Sequence, residues 1–193
     1  GATGMWMHSM ITLSSVLVSV LICFVIGVPL GVLASYNKWY RDIQNVVLDA
    51  MQTLPYFCYL IPVLMFFGGN IVSAVIATVI YSVPPIIRLT ALGLSQVSGG
   101  YSEVSKSFGG TGIQTLNKVK FPLAVPSLVM GFNQTVIMAF AMQIVTPLIG
   151  GKGLGLQVFN ALQRSDTGRG LSAGLAIVPV SYTHLTLPTT EYV

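Results

Sequence analysis

Few residues in this chain are of a type that could do chemistry, and they stand far apart. Cys23 and Cys58 lie inside apolar runs, with no His or Cys at a metal-binding spacing. They are interpreted as buried apolar side chains, so neither a disulfide nor a metal site is predicted. No nucleophile and base stand at a catalytic spacing around His8 or His184. The sequence therefore does not predict an enzyme active site.

A second set of chemically distinct residues consists of polar side chains that interrupt the apolar runs. The apolar runs are long enough to cross a bilayer, and polar groups cost free energy in lipid, so we expect these side chains to face the protein interior. There they either line a pathway for a polar solute or form hydrogen bonds between helices, and the sequence leaves both roles open. They are Asp49, Gln52, Asn133, Gln134 and Gln143.

The third region is the polar segment 95–121, which lies between two long apolar runs. Ser102 is predicted to cap a short helix. Glu103 just after it would favour the positive end of that helix by about 0.3–1 kcal/mol. Val104 and Phe108 form an apolar i, i+4 pair that another protein surface can contact.

The second half of the same segment begins with a glycine pair. Gly109-Gly110 predicts a sharp turn, and a second helix is predicted over 113–120. Pro122 is tolerated at the start of a helix and is predicted to fix the return of the chain into the membrane.

The composition indicates a membrane protein. Apolar residues make up 53% of the chain, charged residues only 7%, and the mean hydropathy is +0.80. Soluble domains carry about 25% charged residues. The net charge of +4 is not arranged as a basic stripe with interleaved aromatic residues, so nucleic-acid binding is not predicted.

Four apolar runs are long enough to cross a bilayer, which needs about 20 residues per helix. A short connection at 38–42 is predicted after the first run, a tight turn at 68–70 after the second, and a break at Pro84-Pro85 in the third. The runs cover 10–35, 46–68, 71–94 and 122–149.

The distribution of basic residues gives an orientation. Six basic residues fall on the side of the 95–121 segment and three on the other side, which places that segment in the cytoplasm. The six are Lys38, Arg41, Arg88, Lys106, Lys118 and Lys120, and the three are Lys152, Arg164 and Arg169.

Both ends of the chain are expected to be incomplete. The sequence begins with Gly and shows no signal peptide. An apolar run at 171–179 has nine residues, too few to span, so it is interpreted as part of a further helix. Residues 180–189 resemble the translation of a sequencing adapter, so 179–193 are interpreted as a non-native tail and 1–178 as the natural domain.

Several stretches resemble a known family of membrane proteins. Glu103-Val104-Ser105, Gly109 and Val119-Lys120-Phe121-Pro122 resemble the cytoplasmic EAA motif of ABC importer permeases. Further stretches, over 51–55, 59–62, 84–90, 131–135 and 148–155, resemble the permeases of glycine betaine, choline and proline importers. The resemblance covers about residues 10 to 178.

The resemblance implies an all-α polytopic membrane protein with the ABC type-1 (MetI-like) permease fold, represented here by about four complete spans and part of a further one. It implies a multi-pass protein of a bacterial-type cell membrane that moves glycine betaine, choline, carnitine or proline inward. The loop that would couple it to the ATPase comprises Glu103, Ser105, Phe108, Gly109, Val119, Phe121 and Pro122.

The same resemblance implies the partners. They are cytoplasmic ABC ATPase subunits, an extracytoplasmic substrate-binding protein and a second copy of the permease. The chain has no Gly-x-x-x-x-Gly-Lys-Ser/Thr phosphate loop, so ATP and Mg²⁺ would bind to the partner ATPase and no cofactor to this chain. Two alternatives stay open, namely an ABC permease for another small solute such as an amino acid, and an ion-driven secondary transporter or channel.

Overall fold

The computed structural model describes residues 2–165, 168, 170–172 and 174–175, so the expected tail at 179–193 and the apolar run at 176–179 lie outside it. The described residues form helices joined by short turns. A π-helical segment, Leu116–Lys120, precedes α7, and a 3₁₀ turn, Thr146–Ile149, follows it. The α-helices are α1 (Ala2–Tyr36), α2 (Lys38–Thr53), α3 (Phe57–Phe67), α4 (Ile71–Gln96), α5 (Gly99–Ser107), α6 (Gly112–Thr115), α7 (Phe121–Val145) and α8 (Leu154–Gln163).

The core is a layer of three long apolar helices, with α4 packed between α1 and α7. Small residues let the helix backbones approach closely. Gly31 of α1 lies against Thr90 of α4, and Gly93 of α4 lies against Ser127 of α7. These contacts, with Gly27 near Ile86 and Gly131 near Leu89, make α1 parallel to α4 and α7 antiparallel to it.

Replacing Gly31 by alanine is expected to destabilise this layer. A methyl group there would lie 2.6 Å from Cβ of Thr90 and 2.7 Å from the carbonyl oxygen of Ile87. Overpacking of this kind costs about 1–3 kcal/mol. The measurement is the thermal unfolding midpoint in detergent. Gly99→Ala is the matched control, because nothing lies near the added methyl group at the start of α5.

The predicted spans are largely confirmed, with one error in the third. The described part of the chain holds three helical segments long and apolar enough to cross a membrane: Trp6–Tyr36, Ile71–Gln96 and Gly112–Ile149. The break predicted at Pro84-Pro85 is absent, because α4 continues through both prolines. Both are buried, and packing against neighbouring helices holds a helix together where proline removes its hydrogen bonds.

The second predicted span forms two helices with a sharp bend between them. It consists of α2 and α3, which meet at 94° around Leu54 to Tyr56. The hydroxyl of Tyr59 donates a hydrogen bond to the carbonyl of Met51 across the bend. If α2 and α3 count as one span, residues 2–165 contain up to four spans, as predicted.

The prediction of a connection at 38–42 is wrong, because these five residues form the beginning of α2. The chain turns at the single residue Asn37, whose side chain accepts a hydrogen bond from the backbone N–H of Tyr40 at 3.3 Å. Asparagine is a preferred N-cap residue. The prediction that both cysteines are buried is confirmed for Cys23 and wrong for Cys58, which is exposed on α3.

The helix directions place the polar segment and most basic residues at one end of the layer. The C-terminal ends of α1 and α4 and the start of α7 meet there, and Nζ of Lys120 lies 5.3 Å above the ring of Tyr36. The excess of basic residues predicts that this end is cytoplasmic. The turn at Gly68 to Asn70, the 3₁₀ turn and α8 lie at the opposite end, which is predicted to be extracytoplasmic.

Candidate functional site

The first half of the polar segment forms α5, and its boundary differs from the prediction. The helix begins at Gly99 with Ser98 at the N-cap position, so Ser102 lies inside it and caps nothing. Glu103 consequently falls beyond the first turn, where the helix dipole no longer favours a carboxylate. Its side chain is exposed and makes no ion pair within the described residues.

The turn after α5 depends on the glycine pair, as predicted. Gly109 has φ of +77°, the left-handed region that other residues rarely adopt. The backbone N–H of Gly110 donates to the carbonyl of Ser105 at 2.9 Å, and that of Gly109 to the carbonyl of Lys106 at 2.9 Å. This pair of bonds is a Schellman motif, which satisfies the last carbonyls of a helix and turns the chain sharply.

The short helix α6 begins with a capping box. The hydroxyl of Thr111 accepts from the N–H of Gln114 at 3.3 Å, and the side chain of Gln114 accepts from the N–H of Thr111 at 2.9 Å. The hydroxyls of Ser105 and Thr115 lie 2.8 Å apart and join α5 to α6. These bonds fix the two helices against each other.

Replacing Thr111 by alanine is expected to loosen α6, because the capping hydroxyl contributes about 1 kcal/mol. Amide hydrogen exchange at Gln114 should become about fivefold faster, since its backbone N–H loses its acceptor. Thr53→Ala is the control, because that exposed hydroxyl bonds only to a carbonyl in its own helix. Unchanged exchange at Gln114 would show that the cap contributes nothing.

The return into the membrane is continuous rather than a new helix start. The chain passes from α6 through the π-helical segment directly into α7, with Pro122 in the first turn of α7. Proline cannot donate to the carbonyl four residues earlier. The N–H of Phe121 bonds to the carbonyl of Leu116, which widens the helix just before the proline.

These helices enclose an open cavity of about 490 Å³, here called the docking groove. Apolar side chains project beside it into solvent, and the side chain of Phe108 is 88% exposed. Such exposed apolar residues mark protein interaction sites. The groove is lined by Tyr101, Val104, Ser105, Phe108, Gly110, Gln114, Lys118 and Val119.

The structure therefore brings together only part of the predicted coupling residues. Ser105, Phe108 and Val119 line the docking groove. Phe121 instead packs against the buried cluster formed by α1, α2, α4 and α7. Glu103 and Pro122 are exposed outside the lining residues.

The groove also contains residues that the sequence interpretation missed, namely Tyr101, Gln114 and Lys118. The spacing Thr-x-x-Gln at 111–114 is the signature of a capping box and could have located the start of α6.

Among the polar residues of the spans, Gln143 joins helices. It is buried, its amide nitrogen lies 3.4 Å from the hydroxyl of Thr78, and Thr146 bonds to its backbone and side-chain oxygens. Asn133 is partly buried, and its Oδ1 has no hydrogen-bond partner among the described residues. Gln52 and Gln134 are exposed.

Asp49 pairs with a residue on another helix. Its carboxylate accepts a hydrogen bond from Nη2 of Arg88 at 2.5 Å, which connects α2 to α4. The pair lies in a second cavity of about 410 Å³, whose lining includes Arg41, Asn45 and Ser95. Opposite charges on separate apolar runs were the signal for this pairing, which the sequence interpretation did not use.

At the end of the helical layer opposite the polar segment, the glycine-rich turn before α8 is held against α1. The N–H of Leu154 donates to the hydroxyl of Thr12 at 2.8 Å, and Gln157 lies 2.9 Å from His8. Gly153 has φ of +113° and leaves no room for a side chain beside Thr12. This arrangement fixes the outer end of α1 to the segment after α7.

Comparison with known proteins gives consistent matches. The family described as "Binding-protein-dependent transport system inner membrane component" matches residues 27–186. The chain is 42% identical over 180 residues to the glycine betaine transport system permease protein OpuAB of Bacillus subtilis (strain 168), covering 93% of this chain and 64% of that protein.

It is 43% identical over 178 residues to the glycine betaine/proline betaine transport system permease protein ProW of Escherichia coli (strain K12), covering 92% of this chain and 50% of that protein. The chain thus spans about half to two thirds of the length of these relatives. A solved inward-facing structure of the MetNI methionine ABC transporter superposes with a TM-score of 0.80 at 24% identity, covering 90% of this chain and 88% of that one. That likeness concerns the fold alone.

Proposed function

Because this chain belongs to the family of binding-protein-dependent transport system inner membrane components, we propose that it is the permease subunit of an ATP-driven importer for glycine betaine and related osmoprotectants such as choline, carnitine and proline. The chain is a multi-pass membrane protein, and its predicted all-α, MetI-like fold is confirmed. The observation that carries the substrate class is the 42–43% identity to two glycine betaine permeases.

The docking groove is our candidate for the contact with a cytoplasmic ATPase. It lies at the end of the helical layer that carries the excess of basic residues. Its exposed Phe108 and Val104 offer an apolar contact, and the Schellman turn with the capping box holds α5 and α6 rigidly. A rigid element can transmit the push of an ATPase to α4 and α7, to which it is joined at both ends.

The opposite end is the candidate contact for an extracytoplasmic binding protein. The glycine-rich turn and α8 lie there and are fastened to α1 through Thr12. A second permease copy would supply the other half of the translocation pathway, because many apolar side chains of α3 are exposed in the single chain, including Ile61, Met65 and Phe66. In this proposal ATP hydrolysis belongs to the partner, and Asp49, Gln52, Asn133 and Gln134 remain candidate pathway residues.

The test is uptake of radiolabelled glycine betaine into proteoliposomes that contain the full-length permease, its ATPase and its binding protein. Uptake that requires both ATP and the binding protein would support the proposal. Uptake that follows an imposed ion gradient without the ATPase would instead support a secondary transporter. ATP hydrolysis that is stimulated by a different solute, with no uptake of glycine betaine, would overturn the substrate class.

A further inference from the structure

The length of α4 places the ion pair of Asp49 and Arg88 inside the membrane, in its cytoplasmic half. Arg88 stands eight residues before the cytoplasmic end of α4 at Gln96, which corresponds to about 12 Å along the helix. Helix α4 has 26 residues and is about 39 Å long, so it exceeds a hydrocarbon core of about 30 Å by only a few ångströms at each end. Charged residues at such depth are costly and commonly mark the path of a substrate.

The pair is open to a cavity rather than enclosed by helices. The side chain of Arg88 is 37% exposed and that of Asp49 is 63% exposed. The cavity of about 410 Å³ falls in the size range of small-molecule sites. It opens between α2 and α4, and Arg41 and Ser95 lie on its cytoplasmic side.

Hydrogen-bonding capacity remains on both members of the pair. Within the described residues, Arg88 uses only Nη2 and Asp49 only Oδ1 in their mutual bond. Nη1 of Arg88 and Oδ2 of Asp49 can therefore still form hydrogen bonds with a ligand. Arg41, which lines the same cavity, also makes no ion pair within the described residues. Two guanidinium groups and one carboxylate thus face the same small space.

This combination of two guanidinium groups and one carboxylate favours a ligand that carries both a negative and a positive charge. A simple anion would meet the carboxylate of Asp49, and a simple cation such as choline would meet two guanidinium groups, so the cavity favours the zwitterionic members of the proposed substrate class. A molecule with a carboxylate at one end and a cationic ammonium at the other can satisfy both, because charge-assisted bonds to arginine are strong and directional. When no such molecule is present, Asp49 and Arg88 neutralise each other.

We propose that this cavity is a subsite through which a small zwitterion passes before it leaves for the cytoplasm. Arg88 and Arg41 receive the carboxylate of the zwitterion, and Asp49 faces its ammonium group. The proposal rests on the proposed function, since it assumes that a zwitterionic solute enters the pathway. It adds Arg88 and Arg41 to the residues that contact the solute.

The test is protection of a cysteine placed in the cavity. Ser95→Cys is introduced together with Cys58→Ser, which removes the exposed native cysteine. The full-length permease with its ATPase is labelled by a negatively charged thiosulfonate reagent in inside-out vesicles without binding protein. Glycine betaine in saturating amount is expected to slow the labelling by about tenfold, whereas sucrose of equal osmolarity has no effect.

The variants separate a subsite from a structural contact. Arg88→Gln is expected to abolish the protection and, in the otherwise native chain, to lower uptake of glycine betaine by about tenfold. Lys38→Gln is the matched control, because it also removes a positive charge, from an exposed residue of α2 that does not line the cavity. Its uptake should stay within about twofold of the native rate.

Three results would overturn the inference. They are the absence of protection while the native complex takes up glycine betaine, protection that persists in Arg88→Gln, and protection by phosphatidylethanolamine without added solute, which would assign the cavity to a lipid headgroup. If the native complex takes up no zwitterion at all, the proposed function itself fails.

Discussion

Replacing Phe108 by alanine is expected to weaken binding of the partner ATPase by about 30-fold or more. The side chain is 88% exposed at the turn between α5 and α6, next to the docking groove. An aromatic side chain that becomes fully buried at the centre of an interface typically contributes about 2 kcal/mol or more, which is about 30-fold in affinity. The measurement is the dissociation constant of the purified ATPase on the full-length permease in nanodiscs.

The control is Trp6→Ala. Trp6 is 67% exposed, but it lies near the start of α1, at the end of the helical layer opposite the docking groove. Its replacement removes a large exposed aromatic side chain from that opposite end, so the affinity for the ATPase should not change. Equal losses in the two variants would mean that they act through a general effect on the permease, and the docking role of Phe108 would then be wrong.

The long helices were predictable because their signal is strong and local. The fourth run, predicted over 122–149, appears as α7 followed by the 3₁₀ turn that ends at Ile149. A mostly apolar run of this length forms a helix in a membrane, since a helix bonds all its backbone groups within the segment. Packing of α4 between α1 and α7 explains why it passes through Pro84 and Pro85, against the prediction of a break.

The start of α2 differs from the prediction, which rested on the charged residues at 38–42 and not on the spacing of the apolar residues between and after them. Lys38, Arg41 and Asp42 were interpreted as a connection. The apolar residues Trp39, Ile43, Val46 and Val47, however, follow the i, i+4, i+7, i+8 pattern of an amphipathic helix. Charged residues on the other face of such a helix do not oppose it. The hydrophobic period was therefore the better guide to this boundary.

The candidate site was predictable where a backbone conformation requires one particular residue type. The Gly109-Gly110 turn follows from the glycine requirement of the left-handed region, and it formed as predicted. Serine has several uses, so Ser102 was wrongly assigned as a cap while the helix began at Gly99. The pairing of Asp49 with Arg88 depends on how α2 packs on α4, and opposite charges on separate apolar runs indicate that a pair can form but not which helices pack together.

Replacing Gly109 by valine is expected to reduce ATP-driven uptake of glycine betaine by about tenfold or more. A left-handed backbone costs a residue with Cβ about 1–2 kcal/mol, and a β-branched residue is a stronger outlier there. Valine at φ of +77° would therefore favour a different turn, breaking the bonds from Gly109 and Gly110 to α5. The angle between α5 and α6 would change, and a push on the loop would no longer reach α7.

Two further variants separate the backbone effect from the added side chain. No atom lies within 4 Å of a Cβ at either Gly109 or Gly112, but only Gly109 has positive φ. Gly112→Val should therefore keep nearly native uptake. Gly109→Asn should keep more uptake than Gly109→Val, because asparagine tolerates the left-handed region. If Gly109→Asn and Gly109→Val lose uptake equally while Gly112→Val does not, the added side chain itself blocks the ATPase, and the turn geometry is not what couples the loop to transport.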